Sequence, residues 1–298
     1  HSLPVEDMAF ETYGIMSNHF RMHRLSSTSQ LLATHKEHGV DAVVFGGLEY
    51  GMSVEEMEGD AALQRGAADM ARLPYLAGTA IEADSIVRII NGKGFVDMKA
   101  VKYSGKAGTE SAFKALDGKN MKILHIGTHG FYAGNDKAIF SGITRNSGFA
   151  GNLEDKTLAQ SGLYMSGAEN ILNHEMIPDG IDDGMLTSQE VSSLNLSGLD
   201  LVSLSACQTA QGQITGDGVF GLQRGFKKAG AHSILMSLWK VDDEATCLLM
   251  TVFYREWIGN GHNKYDAFIA AKNAVRSHNE KGWNDPRYWA AFILLDGL

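Results

Sequence analysis

The chain has 298 residues, 44% of them apolar and 20% charged, with a net charge of −9. That balance suits a globular fold with a real core and excludes a disordered chain. The acidic sign argues against nucleic-acid binding, because the phosphate backbone would be repelled on average. There are two cysteines, Cys207 and Cys247, too few for a disulfide framework, so a reducing, cytoplasmic setting is expected. No apolar run approaches the ~20 residues of a membrane-spanning helix, and no secretory leader stands at the start. The chain begins at His1, which suggests a piece of a longer protein.

In chain order, residues 1–38 read as an extension or linker remnant containing a short strand or loop and a helical turn. Asp41 to Gly47 reads as a buried strand ending in a glycine turn. Residues 51–72 are acidic and alanine-rich, with helical spacing or a loop. Thr79, with Glu82 three residues on, predicts a capped helix to about Ile90. Phe95 to Tyr103 predicts a strand, and Thr109 to Leu116 a helix capped by Thr109. Next comes Ile123-Leu124-His125-Ile126-Gly127-Thr128-His129-Gly130, a β-branched-rich run stopping at a reactive side chain. Residues 131–160 form a long polar excursion, Gly162 to Ala168 a strand candidate, and 169–184 a second polar loop. Thr187-Ser188-Gln189-Glu190 is a capping box opening a short helix.

Leu201-Val202-Ser203-Leu204-Ser205-Ala206-Cys207 repeats the pattern of the histidine run. Beyond it, helices are expected at Gly218–Ala229, Asp242–Trp257 (capped by Asp242) and Asp266–Ser277, with strands at His232–Leu238 and Trp289–Leu295. Alternating strands and helices predict an α/β sandwich with a mostly parallel central sheet and helices on both faces. Residues 1–298 are expected to form a single domain.

If the two reactive runs are neighbouring parallel strands, His129 and Cys207 emerge at one sheet edge, where open α/β sheets carry their chemistry. Cys207 heads a polar, glycine-studded loop, which favours an accessible nucleophile over a packed hydrophobe. His129 would serve as general base for the thiol and general acid for the leaving amine. The N–H groups of Gly130 and Cys207 would form an oxyanion hole. His125, two pleats back, reads as a packed residue and as the rival base.

These strings resemble the CHAT family, a bacterial branch of the caspase-like (clan CD) cysteine peptidases. The likeness runs from Arg24-Leu25-Ser26-Ser27-Thr28 through His125 to Phe131, Ser161-Gly162-Leu163 and Asp183 to Thr187. It continues through Leu204 to Thr209, Gly216 to Leu222, Ala229-Gly230-Ala231, Ser237 to Thr246 and Tyr288 to Phe292. It implies a caspase-like sandwich, a His129–Cys207 dyad without metal or cofactor, and cleavage of a protein substrate after a chosen P1 residue. It also implies activation through a fused or bound module, typically tetratricopeptide (TPR) repeats. The family commonly has Cys-Glu-Thr-Gly where this chain has Cys207-Gln208-Thr209-Ala210.

The stretch Trp239-Lys240-Val241-Asp242-Asp243 also resembles separases, relatives that cut after arginine. Asp243 and Asp242, with Asp217 and Gln208 on the loop after Cys207, lie nearest the presumed cleft and are the P1-pocket candidates, with a basic P1 side chain as the expected guest. The plainer reading is that Asp242 caps its helix and Asp243 sits in the first turn, where the dipole favours it. Gly216-Asp217-Gly218-Val219-Phe220-Gly221 fits G-x-G-x-x-G, but no strand directly precedes it, as a dinucleotide site requires. His125 and His129 make a poor zinc pair on a strand. The non-enzyme alternative is a catalytically silent caspase-like scaffold, since fold alone never proves activity.

Overall fold

The computed structural model describes residues 4, 7–10, 14–32, 41–57, 72–92, 98–133, 158–173, 175–178, 180–205, 207–208 and 216–297. Its centre is a six-stranded sheet, and β-branched and aliphatic runs build it. In chain order these strands are β3 (Asp41–Leu48), β4 (Lys99–Gly105), β5 (Met121–Ile126), β9 (Leu201–Leu204), β11 (Ser233–Ser237) and β12 (Phe292–Leu295). Their spatial order is β12-β11-β9-β5-β3-β4. All neighbours pair in parallel except β11 and β12, which run antiparallel.

Side chains alternate between the two faces, as the pleat dictates. One face presents Val43, Phe45, Leu124, Ile126, Val202 and Leu204, packed with Phe113 and Phe226. The other presents Ala42, Val44, Ile123, Leu201 and Leu235, packed with Leu249 and Phe253. Each face is covered by helices. On the first lie α3 (Glu110–Lys114), α5 (Ser188–Ser193) and α6 (Gly216–Ala229). On the second lie α2 (Ala77–Asn91), α7 (Asp243–Tyr254) and α8 (Lys264–Arg276). The expected mostly parallel sandwich is what forms. Among the described residues no helix is long and apolar enough to cross a membrane.

A second, four-stranded sheet of order β10-β6-β7-β8 sits beyond the carboxyl ends of β5 and β9. Its members are β6 (His129–Tyr132), β7 (Ser161–Tyr164), β8 (Met185–Thr187) and β10 (Cys207–Gln208). Two two-residue strands near the start, β1 (Ala9–Phe10) and β2 (Gly14–Ile15), pair with each other. Further on, Arg24 bridges Leu295 and accepts the Asp296 N–H at 2.9 Å. Ser26 binds the Asp296 carboxylate through both its N–H and its hydroxyl. The outer edge of β12 is thereby covered by the chain's own early segment, which spares it open strand pairing.

Several expected boundaries shift for local reasons. Thr79 is not a cap: α2 starts at Ala77, and the Thr79 hydroxyl donates to Leu76 O at 2.8 Å and accepts from Gly47 N–H at 3.0 Å. Trp289 is helical rather than extended, because Asp285 and Pro286 open a short α9 (Pro286–Trp289), and proline suits a first helical position. The strand expected over Gly162–Ala168 ends at Tyr164, and the loop expected over 169–184 opens with α4 (Glu169–Leu172). The caps expected at Thr109, Thr187 and Asp242 all form, the second as a full capping box. Most of the 131–160 excursion and of the 51–72 stretch lie outside the described residues, although Val54–Met57 forms α1. The string Gly216 to Gly221 is helical throughout, which rules out a phosphate-cradling turn there.

One close approach sets where α2 lies. A Cβ built on Gly46 would stand 2.5 Å from Thr79 O and 2.8 Å from Ala83 Cβ. Gly46→Ala is therefore expected to push α2 off β3 and to cost about 1–3 kcal/mol, as overpacking does. The check is the denaturant midpoint, which should fall without a change of slope.

Candidate active site

Strands β5 and β9 are parallel neighbours, with Ile126 opposite Leu204. Both chains then leave the central sheet and re-pair in the second one. There His129 stands opposite Cys207, and Gly130 opposite Gln208, again in parallel. The residue offset is the same on both sides, so the pairing is carried across the break. Adjacent strands lie about 4.8 Å apart, so the backbones of His129 and Cys207 are direct neighbours. They begin short strands of the second sheet rather than ending the central strands, which is the one difference from the expected placement. Gly127 N–H donates to Phe45 O at 2.8 Å, and Ser205 N–H to Ile126 O at 2.9 Å, fixing both links.

His129 is 2% exposed. Its Nε2 lies 2.7 Å from the carbonyl oxygen of Pro74. A carbonyl can only accept, so Nε2 carries the proton and the neutral ring keeps its lone pair on Nδ1. Tyr50 packs its ring 5.1 Å from the imidazole. Thr128 Oγ1 donates to Tyr164 O at 2.5 Å, so the 3.0 Å contact between Tyr50 and Thr128 is a donation from the phenol. Burial, chiefly, pushes the Tyr50 hydroxyl up to about 12.

Burial also lowers the His129 pKa below its ordinary value. The Pro74 hydrogen bond and the charge of Asp243 oppose that fall, while Lys240 adds to it. The ring is thus a neutral base near pH 7.

A cleft of about 400 Å³ opens beside His129, with Glu82, Ser205, Lys240, Asp242 and Asp243 in its wall. The carboxylates outnumber the ammonium. Asp242 caps α7: its Oδ1 accepts from Glu244 N–H at 3.0 Å and Ala245 N–H at 3.1 Å. The plain reading of Asp242 is therefore correct, although the residue also borders the cleft. Asp243 is an exposed first-turn residue of α7, and its charge reaches both His129 and Tyr50. Gln208 lies opposite Gly130 in the second sheet, and Asp217 lies in the first turn of α6.

His125 is fully buried on the face of β5 that α2 and α7 cover. Its Nε2 stands 2.8 Å from Glu82 Oε1, an ion-pair distance. The ring N–H axis is not aimed at that oxygen, and neither atom makes an aligned hydrogen bond. Glu82 Oε2 accepts from Ser205 Oγ at 2.9 Å, and Tyr254 donates to Ser203 Oγ at 2.9 Å. His125 is the packed residue expected from sequence: its imidazole lies between Glu82 of α2 and Tyr254 of α7, and it is not itself in the cleft wall.

Three members of the site escaped the sequence reading: Pro74, Tyr50 and Glu82. Glu82 takes no part in the helix cap expected with Thr79. Its spacing from Ile86 and Ile90, on the buried face of α2, is the signal that sets it apart. Cys247 lies within α7, and burial followed by the nearby Glu82 charge raises its thiol pKa.

The sequence pattern of the CHAT domain matches residues 1–297. The chain belongs to the CHAT domain family. CHAT domains are a branch of the caspase-like cysteine peptidases, which accords with the sheet order and with a histidine and a cysteine meeting beyond its strand ends. Two relatives are the proteins named Tetratricopeptide repeat protein 28 of Mus musculus and Homo sapiens. Each is 35% identical over 111 residues, which is 37% of this chain and 4% of the relative. The CHAT chain therefore spans a small fraction of the length of these relatives.

A histidine NMR titration checks the electrostatics. His129 should titrate below its ordinary ~6.5. Asp243→Asn should lower that value further, since it removes a charge that favours the imidazolium. Lys240→Met should raise it. Shifts of the opposite sign would contradict the assigned causes.

Proposed function

We propose that this CHAT domain is a cysteine endopeptidase in which Cys207 is the nucleophile and His129 the base. The single observation that carries this reading is the parallel pairing of His129 with Cys207. Nδ1 of His129 takes the thiol proton, and the thiolate sulfur bonds to the scissile carbonyl carbon. The resulting oxyanion accepts from the N–H groups of Gly130 and Cys207, which must turn toward the substrate rather than the ladder. The imidazolium then gives its proton to the amide nitrogen, the C–N bond breaks and the amine leaves. Water, deprotonated by His129, attacks the thioester, and the acid product departs as the thiol re-forms. A free thiol suits a reducing, cytoplasmic compartment. No metal or cofactor enters this scheme.

The P1 side chain is basic in this reading, because Glu82, Asp242 and Asp243 border the cleft against one lysine. Of these, Glu82 is buried and the Asp242 carboxylate caps α7, which leaves exposed Asp243 as the one to meet a guest. A guanidinium gains most from such a pair, because it can bond a carboxylate in bidentate fashion. Residues 1–298 act as one domain, with 1–38 leading from an upstream module. That the relatives are named for tetratricopeptide repeats supports such a repeat array as the regulator.

The test is digestion of a peptide library and of neighbouring gene products by wild type and Cys207→Ala. Wild type should cut after Arg or Lys, and Cys207→Ala should not cut while melting at the same temperature. Asp243→Asn should lower kcat/KM for an Arg substrate about tenfold, the loss of one partly exposed charge pair. Equal cutting by Cys207→Ala would end the nucleophile assignment. Preference for acidic or apolar P1 residues would end the acidic-cleft reading. No cutting by either protein would favour the scaffold alternative.

A further inference from the structure

The imidazole of His129 is aimed by a backbone carbonyl, that of Pro74. Pro74 and Tyr75 are both solvent-exposed, so something must hold that carbonyl in place. Proline helps, since its ring fixes φ and leaves fewer torsions to wander. It has no N–H of its own with which to anchor the strand of chain. The anchor comes one residue earlier: Leu73 N–H donates to Glu169 Oε1 at 2.7 Å. A hydrogen bond to a carboxylate is of the stronger, charge-assisted kind.

Glu169 is itself held from several sides. Its N–H donates to Tyr50 O at 3.1 Å, and Tyr50 is the residue whose ring packs on His129. Gly167 N–H donates to Glu49 O at 3.1 Å, and Asn170 Nδ2 to Met52 O at 2.8 Å. These bonds stitch the start of α4 to the turn after β3. Room for the carboxylate is supplied by Gly51, where a built Cβ would stand 3.0 Å from Glu169 Oε2. Any side chain at 51 would displace that oxygen or be displaced by it.

We infer that Glu169 is a positioning residue for the His129 base, acting through Leu73 N–H and the Pro74 carbonyl. It touches neither substrate nor the reacting atoms. It holds the acceptor that keeps the proton on Nε2 and so leaves the Nδ1 lone pair for the thiol. The inference rests on His129 being the base, but its structural half can be read without any turnover.

The experiment compares the 298-residue wild-type chain with its Glu169→Gln, Glu169→Asp and Glu169→Leu variants. Glutamine keeps an acceptor at the same reach. Aspartate is one methylene short of Leu73, and leucine has no acceptor. Nitrogen NMR of labelled histidine should show the Nε2-protonated tautomer in wild type and Glu169→Gln. In Glu169→Asp and Glu169→Leu it should show a mixed tautomer and a lower His129 pKa. Peptidase kcat should fall tenfold or more in the latter pair with KM little changed, and Gln should restore it to within threefold.

If Glu169→Leu does not fold, Glu169→Asp carries the same reading. Unchanged ring resonances in both deficient variants, or a Gln variant as defective as Leu, would overturn the inference. The tautomer shift in the two deficient variants, beside a wild type that cuts nothing, would leave the relay standing and sink only the peptidase reading.

Discussion

Everything at this site depends on two adjacent parallel strands leaving the central sheet in step. Strands β5 and β9 share a register up to Ile126 and Leu204. Past a two-residue break they share it again, with His129 opposite Cys207. A one-residue slip in either link would send one partner to the other face, because side chains alternate along a strand. The links are held by bonds to core strands rather than to solvent: Gly127 to β3 and Ser205 to β5. The geometry proposed for catalysis is thus inherited from the most buried part of the molecule.

The environment then tunes the imidazole. Burial disfavours its charged form, and Asp243 and Lys240 pull in opposite directions at the cleft wall. A second set of polar groups, Glu82, His125, Ser203 and Tyr254, lies behind the same strands. Glu82 links the two sets, since it borders the cleft and also holds Ser205, two residues before Cys207. Buried polar groups of this kind are costly unless satisfied, and Ser205 and Tyr254 each supply one of them with a hydrogen bond.

How much of this the sequence reveals depends on how local the cause is. The parallel sandwich is legible because β-branched runs alternate with amphipathic helices. The caps at Thr109, Thr187 and Asp242 are legible because their partners lie within three residues. The pairing of His129 with Cys207 is legible because each follows an apolar run that reads as one of two neighbouring parallel strands. Thr79 misled because its hydroxyl is claimed by Gly47, across the chain at the end of another strand. Pro74 was hidden for the same reason: its role lies in a carbonyl that any residue possesses, and only the fold brings it to the imidazole. Glu82 and Glu169 act over separations of 123 and 96 residues, which no local pattern encodes.

The proposed proton transfer between His129 and Cys207 is tested most directly by the rate at which iodoacetamide alkylates each cysteine at pH 7, in wild type and in His129→Ala. Removing the imidazole should slow Cys207 at least tenfold and leave the slower Cys247 unchanged, since the thiolate is the reactive form. An equal rate at Cys207 in both proteins would mean that the histidine and the thiol do not share a proton.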